Sequence, residues 1–376
     1  MLSLYIHIPY CAQKCLYCGF YSTIYAQEEA DRFISALEIE VQNIQKSLPD
    51  RRIDTIYLGG GTPTVLSPTQ LDRVVRIIER SFAFEKEVEF TVEANPHTAV
   101  EVRLEALLGH GVNRLSLGVQ SFSDDILNSI GRLHDAKQAV DSFCLARSIG
   151  FKSISIDLIF GLPGQTIEDW ERTIDTAVLL KPDHISAYSF SLEKDTHFMR
   201  MAKAGKLTML NDEIVAGMYE LAVCKLNRHG FDRYEISNFC RPGHACRHNQ
   251  HYWIRGEYLG LGPAASSFFA GQRYDNTADV SSYIRLLSTG LSPVVTREAI
   301  GRESAARESI MLGMRTARGV GLSDYKRDYG CDSYERLREK IVSLEGTGLL
   351  FVSDERVRLT DRGFLLSDDV VTRLTS

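Results

Sequence analysis

Apolar positions along the first half of the chain alternate between two rhythms. Short runs with few polar interruptions, at residues 3–8, 55–58, 88–93, 114–119, 153–159 and 184–189, read as strands covered on both faces. Between them lie segments of helical period, 27–46, 67–80, 98–109, 135–150 and 166–180; in the first, Phe33, Leu37, Val41 and Ile44 share one face. Two starts are written into the chain: Ser67-Pro68 is an N-cap followed by proline in the first turn, and Thr166-Ile167-Glu168-Asp169 has the form of a capping box. Six strand–helix alternations with right-handed crossovers predict an α/β fold with a parallel, curved sheet, an open (β/α)6 version of the eight-stranded barrel. In such folds chemistry sits at the carboxyl ends of the strands.

Beyond residue 190 the rhythm weakens. Residues 191–302 read as a less regular linker, and 303–376 as a separate C-terminal unit. There, helical segments at 305–316, 322–329 and 334–345 lead into a hairpin at 348–360, which predicts a winged-helix-like domain. Asp354 and Glu355 stand beside Arg356 and Arg358, so the wing suits packing or a protein partner better than nucleic acid.

A chain of 376 residues with 44% hydrophobic content buries a large core. Its net charge of -6 argues against a nucleic-acid partner. Five of the eight cysteines, Cys144, Cys224, Cys240, Cys246 and Cys331, are scattered, as in a reducing cytosol. No apolar run approaches a membrane span, which predicts a cytoplasmic protein, at most peripheral to a membrane.

The other three cysteines carry the chemistry. Cys11, Cys15 and Cys18 follow C-x3-C-x2-C spacing. A 4Fe-4S cube takes four ligands and favours thiolate, so three local thiolates predict a cluster with one iron open to a substrate. Structural zinc fits poorly, because it closes with four ligands and no fourth is adjacent. The strand ends converge on the same rim: Gly59-Gly60-Gly61-Thr62-Pro63 after the second, Glu93-Ala94-Asn95-Pro96 after the third, Gln120-Ser121-Phe122 after the fourth, and Asp157 within the fifth, ahead of Gly161-Leu162-Pro163-Gly164. A triple glycine lets a ligand carrying ammonium and carboxylate approach backbone, although it also serves as a plain tight turn.

The cysteine spacing after a short apolar strand, ending in Cys-x-Phe, resembles the radical S-adenosylmethionine (SAM) superfamily. That resemblance implies that the amino and carboxylate groups of SAM chelate the open iron, and that an electron from the cluster splits the sulfonium. Tyr17 then stacks on adenine, shields the cluster, or does both. Tyr5-Ile6-His7-Ile8-Pro9, Gly118-Val119-Gln120-Ser121-Phe122, Arg132 and Asp157-Leu158-Ile159-Phe160-Gly161-Leu162-Pro163 narrow the resemblance to the branch shared by oxygen-independent coproporphyrinogen III dehydrogenases and haem chaperones. It implies a SAM site built from Tyr5, Tyr17, Gly59, Gly60, Gly61, Thr62, Glu93, Gln120, Arg132 and Asp157. Carboxylates there take ribose hydroxyls, and Arg132 pairs with a carboxylate.

Two features separate enzyme from chaperone. The dehydrogenases carry a fourth cysteine two residues after the third, where this chain has Phe20. Cys246-Arg247-His248-Asn249-Gln250-His251-Tyr252-Trp253 matches the HNxxYW signature of the chaperone family. A haem b cargo needs an axial ligand and a flat aromatic wall, which points to Cys246, His248, Asn249, Tyr252 and Trp253, with His251 a further axial candidate. With Cys240 and His244, the same stretch also reads as a zinc site or as a loop of hydrogen-bonded histidines. Ser266 stands where many relatives have histidine. The expectation is a haem chaperone carrying a 4Fe-4S cluster and SAM. It would pass haem to acceptor haemoproteins, respiratory cytochromes of the membrane among them, and it is compatible with a homodimer. A coproporphyrinogen III dehydrogenase is the alternative.

Overall fold

The computed structural model describes residues 2–46, 48 and 52–376. Strands β1 (Leu2–Ile8), β2 (Arg52–Gly60), β3 (Ala83–Ala94), β4 (Arg114–Gln120), β5 (Ser153–Phe160) and β6 (His184–Ser189) pair in parallel in that order. Helices α1 (Gln27–Gln45), α2 (Pro68–Ser81), α3 (Glu101–Gly109), α4 (Ala136–Ile149) and α5 (Ile167–Leu179) cover the outer face. Alternation sets which side chain goes where. Leu2, Leu4, Ile6 and Ile8 of β1 are buried towards the helices, with Ile53, Ile56 and Leu58 of β2 in the same core. Tyr5, Tyr57, Glu93, Ser116 and Asp157 take the intervening positions and face the concave side of the curved sheet, its lumen.

The predicted helix starts are present. Ser67 and Thr166 both form reciprocal capping boxes, and so does Asp135 with Gln138. Residues 191–302 are more ordered than their composition suggested. They contain β7 (Asp232–Arg233), β8 (Asn238–Cys240), β9 (Tyr258–Leu261), β10 (Ser266–Phe269), β11 (Gln272–Asn276) and β12 (Val294–Ala299). These widen the sheet at both edges to the order β12-β11-β10-β9-β1-β2-β3-β4-β5-β6-β8-β7. β9 runs parallel to β1, while β10, β11 and β12 continue as an antiparallel meander. Helices α6 (Asp212–Arg228), α7 (Arg247–Trp253) and α8 (Val280–Ser288) belong to the same segment.

In the C-terminal unit, α9 (Arg302–Gly313), α10 (Leu322–Tyr329) and α11 (Cys331–Leu344) accompany a three-stranded antiparallel wing, whose strand β13 (Val320–Gly321) falls between α9 and α10 and whose strands β14 (Leu350–Val352) and β15 (Arg356–Leu359) follow α11. Two short helices, α12 (Asp361–Leu365) and α13 (Ser367–Thr375), close the chain, and α13 packs on α9 and α11. Among the described residues no helix is long and apolar enough to cross a membrane.

One buried acid joins the added strands to the barrel. Glu40 of α1, 4% exposed, accepts from the backbone N–H of Gly262 at 2.8 Å, from Asn276 Nδ2 at 2.6 Å and from the Tyr283 hydroxyl at 2.6 Å. Burial pushes its carboxyl up to about 7 against these three donors. Glu40→Ala leaves the Gly262 N–H and the Tyr283 hydroxyl buried without an acceptor, while Asn276 Nδ2 keeps Gly262 O at 2.9 Å, and the expected cost is about 3 kcal/mol in urea unfolding. The raised folded value also fixes a pH sign. Glu40 contributes most below about 4.5, and its contribution fades as pH rises through about 7, so Glu40→Gln gains on the parent across that window.

Candidate functional site

The cysteine loop leaves β1 at the carboxyl rim. Tyr10–Cys11 pairs with Thr23–Ile24 and fixes both ends of the loop, and Leu16 N–H donates to Ile130 O at 3.2 Å. Cys11, Cys15 and Cys18 are partly buried free thiols on the wall of one cavity of about 510 Å3. Burial raises the Cys11 thiol and pushes Cys18 up to about 11, so both stay protonated until a metal displaces the proton.

The strand ends supply the remaining walls. Gly60, in the left-handed region at φ 103°, lies where a Cβ would come within 2.5 Å of His7 Nδ1; at Gly61 a Cβ would meet Tyr10 O at 2.5 Å. The triple glycine therefore lets two backbones meet as well as turning the chain. Thr62 N–H donates to Tyr10 O at 2.7 Å, and its hydroxyl accepts from Asn95 Nδ2 at 2.8 Å and lies 3.6 Å from Cys11 Sγ. Gln120 adopts φ 70°, a strained conformation for a residue with a side chain, where β4 shifts register against β5. Tyr17 also lines the cavity, and it packs on Ile126, Ile130, Ile159, Leu162 and Phe198.

Two acids face this space. Glu93 accepts from the Tyr57 hydroxyl at 2.8 Å and from Gly60 N–H at 3.2 Å; burial pushes it up to about 7. Asp157 accepts three serine hydroxyls, Ser116 at 2.7 Å, Ser155 at 2.9 Å and Ser186 at 2.7 Å, and burial raises it too. Among the described residues Arg132 meets no carboxylate. It donates to Asn95 Oδ1 at 2.6 Å, to Gly118 O and to Cys15 Sγ at 3.4 Å, while its buried Nε has no partner.

The donor set fits a cluster and SAM. Three thiols share a wall with an open guanidinium N–H, and two acids that, among the described residues, bond no cation face the same space. A cube takes each thiolate on a different iron, so the sulfurs need not converge on one point. Two expected SAM contacts stand back from the cavity wall. The Tyr5 hydroxyl bonds His7 Nδ1 at 3.1 Å, and Gly59 is backed by Glu93 and Tyr57, which a Cβ there would touch at 2.9 Å.

The HNxxYW segment lies at the opposite end of the lumen. α7 packs at the amino ends of the strands, and Glu89 of β3 caps it by accepting the N–H of Arg247 at 3.0 Å and of His248 at 2.9 Å. His248 is 1% exposed, with Nδ1 at 2.7 Å from Thr55 Oγ1 and Nε2 at 3.0 Å from the Tyr252 hydroxyl. Thr55 gives its proton to Ser3 Oγ at 2.8 Å, which assigns the His248 proton to Nδ1. Cys246 is 2% exposed beside Glu89, and His251 Nε2 is bonded to Glu257 O at 2.8 Å. As folded, His248 keeps no free nitrogen for an iron, and the Nε2 of His251 is engaged. Among the described residues no group of three or more His, Cys, Asp or Glu is placed to hold one metal ion, so the zinc reading of residues 240–251 is set aside. Asn249, Tyr252 and Trp253 remain partly exposed.

Sequence reasoning passed over Tyr57, Ser116, Ser155, Ser186 and Glu89, which hold the acids and cap α7. Their signal was polar residues at every second position of strands that otherwise read as continuously apolar. Burial lowers His248 to about 3 from an ordinary 6.5, so its contribution is present above 6.5 and is lost as pH falls towards 3. The stability advantage of the parent over His248→Asn should therefore shrink between pH 6.5 and 4.5 in denaturant titrations.

Comparison with known proteins supplies the family. The pattern described as the Radical SAM superfamily matches residues 5–177, and that of the HemN C-terminal domain matches residues 300–366. "Heme chaperone HemW" of Bacillus subtilis is 38% identical over 98% of this chain and 98% of its own. The protein of that name from Mycobacterium tuberculosis is 33% identical over 99% and 94%. The solved structure "Coproporphyrinogen III oxidase (HemN) from Escherichia coli is a Radical SAM enzyme" superposes with a TM-score of 0.88 at 24% identity, covering 100% of this chain and 90% of that one. At that identity the likeness to the enzyme is one of fold, whereas the near full-length identities place the chain in the HemW family of the radical SAM superfamily.

Proposed function

We propose that the protein is a haem chaperone: it holds a 4Fe-4S cluster and SAM at the carboxyl rim of the barrel, binds haem b, and hands it to acceptor haemoproteins, including respiratory cytochromes at the membrane. The observation that carries this reading is the near full-length identity to proteins named heme chaperone, combined with three cysteines on one cavity wall. Phe20, 71% exposed where the dehydrogenases have a fourth cysteine, goes against the enzyme reading. The working units are 1–190 for cluster and SAM, 191–302 for haem, and 303–376 as the winged cap. The protein acts in the cytoplasm, with contact to a membrane made through its acceptors, and a homodimer is compatible with this reading.

In this assignment Cys11, Cys15 and Cys18 hold the cluster, and Arg132 Nε is the free donor for the SAM carboxylate. Glu93 and Asp157 take hydroxyl or ammonium groups, and Gly60, Gly61, Thr62, Gln120 and Tyr17 close the walls. The bound cluster supplies an electron to the sulfonium, the chemistry of the superfamily. Arg132 donates to Cys15 Sγ at 3.4 Å, a contact it would keep with the cluster in place.

For haem, the HNxxYW segment divides into two parts. Tyr252 and Trp253 give a partly exposed aromatic face. Trp253 Nε1 is a buried donor without a partner, and the Arg315 guanidinium lies 5.6 Å from the Trp253 ring centre, so a haem propionate would find a donor and a cation there. Asn249 borders this face. His248 and Cys246 reach haem only when α7 lifts from the barrel and their present partners are given up.

Cys15→Ala should abolish the visible iron–sulfur absorption of anaerobically reconstituted protein, and a retained cluster would overturn the ligand set. Titration with haem should saturate at a fixed stoichiometry, while a parallel assay with coproporphyrinogen III, SAM and reductant shows no turnover. Turnover, or haem uptake without saturation, would contradict the chaperone.

A further inference from the structure

We propose that residues 246–253 position the two acids of the cofactor cavity: His248 acts on Glu93 through Tyr57, and the start of α7 acts on Asp157 through Tyr234 and His184. The inference rests on reading the cavity as the SAM site and deepens that reading.

Two separate paths run from the cavity to α7. On the first, Glu93 accepts from the Tyr57 hydroxyl at 2.8 Å, and the His248 ring lies against the Tyr57 ring, 5.1 Å between centres and 30° between planes. His248 is itself fixed at both nitrogens, by Thr55 and Tyr252, so the Tyr57 ring rests on a support that cannot turn. On the second, Cys246 N–H donates to the Tyr234 hydroxyl at 3.4 Å, which lies 2.9 Å from His184 Nε2; His184 Nδ1 is 2.8 Å from Ser155 Oγ, and Ser155 donates to Asp157 Oδ1 at 2.9 Å. With His184 carrying its proton on Nδ1, every hydrogen on this path points towards the carboxylate. Burial keeps His184 neutral, as that arrangement requires.

An apolar plug would close the foot of the barrel without any of these bonds and at lower cost in desolvation. What polar side chains add is orientation. Each path ends on an acid that the cavity presents to its ligand, and the paths share no side chain. The histidine of the HNxxYW signature thus has a task in the cofactor site whether or not it later meets haem.

The test uses the full chain, reconstituted anaerobically with its cluster. Tyr57→Phe, Tyr234→Phe and His248→Asn are compared with Glu93→Gln and Asp157→Asn for SAM dissociation constant by equilibrium dialysis. The change that SAM makes in the electron paramagnetic resonance spectrum of the reduced cluster is recorded alongside, with the thermal midpoint as control. Tyr57→Phe and His248→Asn should each weaken SAM about tenfold, and the double variant should lose no more than the worse single, because both lie on one path. Tyr234→Phe should weaken SAM independently and add to Tyr57→Phe. Should His248→Asn fail to fold, the two phenylalanine variants decide, since each removes a single oxygen. Parent-like SAM binding in all three, with binding lost in Glu93→Gln and Asp157→Asn, would overturn the positioning role alone. Parent-like binding in the two acid variants would overturn the reading of the cavity itself.

Discussion

Two carboxylates inside a curved sheet, with no cation bonded to either among the described residues, set the terms for the rest of the lumen. Glu93 and Asp157 are held by hydroxyls and one backbone N–H, and burial raises both. Acids in that position tolerate little misplacement, because each lost donor leaves charge without compensation. The strands answer by turning Tyr57, Ser116, Ser155 and Ser186 inwards, and α7 answers by closing the foot with polar rather than apolar side chains. The cavity at the rim and the HNxxYW helix at the foot are therefore two ends of one hydrogen-bonded interior.

Much of this was legible in the chain. The six parallel strands and five helices follow from period alone, and Ser67 and Thr166 announce their helices because a cap is a local event. What lay outside reach was non-local. β9 is a short, glycine-containing run, Tyr258–Leu261, whose strand character comes from pairing with β1. β7 holds only Asp232–Arg233 and exists through β8. Propensity carries no information about such edges, so 191–302 reads as irregular until its neighbours are known.

The site shows the same division. Cysteine spacing, glycine run and strand-end acids were readable because each has its own chemistry, and eleven of the thirteen expected cluster and SAM residues line one cavity. Tyr5 and Gly59 stand behind the wall, since a strand-end motif fixes the register of a residue but not how deep it sits. The histidine loop was ambiguous for a physical reason: a ligand histidine and a packed one look alike in sequence, and only the partners of both nitrogens separate them. Shared fold with a coproporphyrinogen III oxidase at 24% identity does not transfer its reaction, because the barrel is a scaffold and function lives in the site built on it.

The central claim is that the cavity holds a cube with one iron left for SAM while the protein supplies only three ligands. Mössbauer spectroscopy of protein reconstituted with isotope-enriched iron, recorded with and without SAM, tests it directly. The account predicts a cluster in which one iron alone changes its signal when SAM is added. A spectrum in which all irons respond alike, or in which SAM changes nothing, would mean that the open iron, and with it this reading of the site, is wrong.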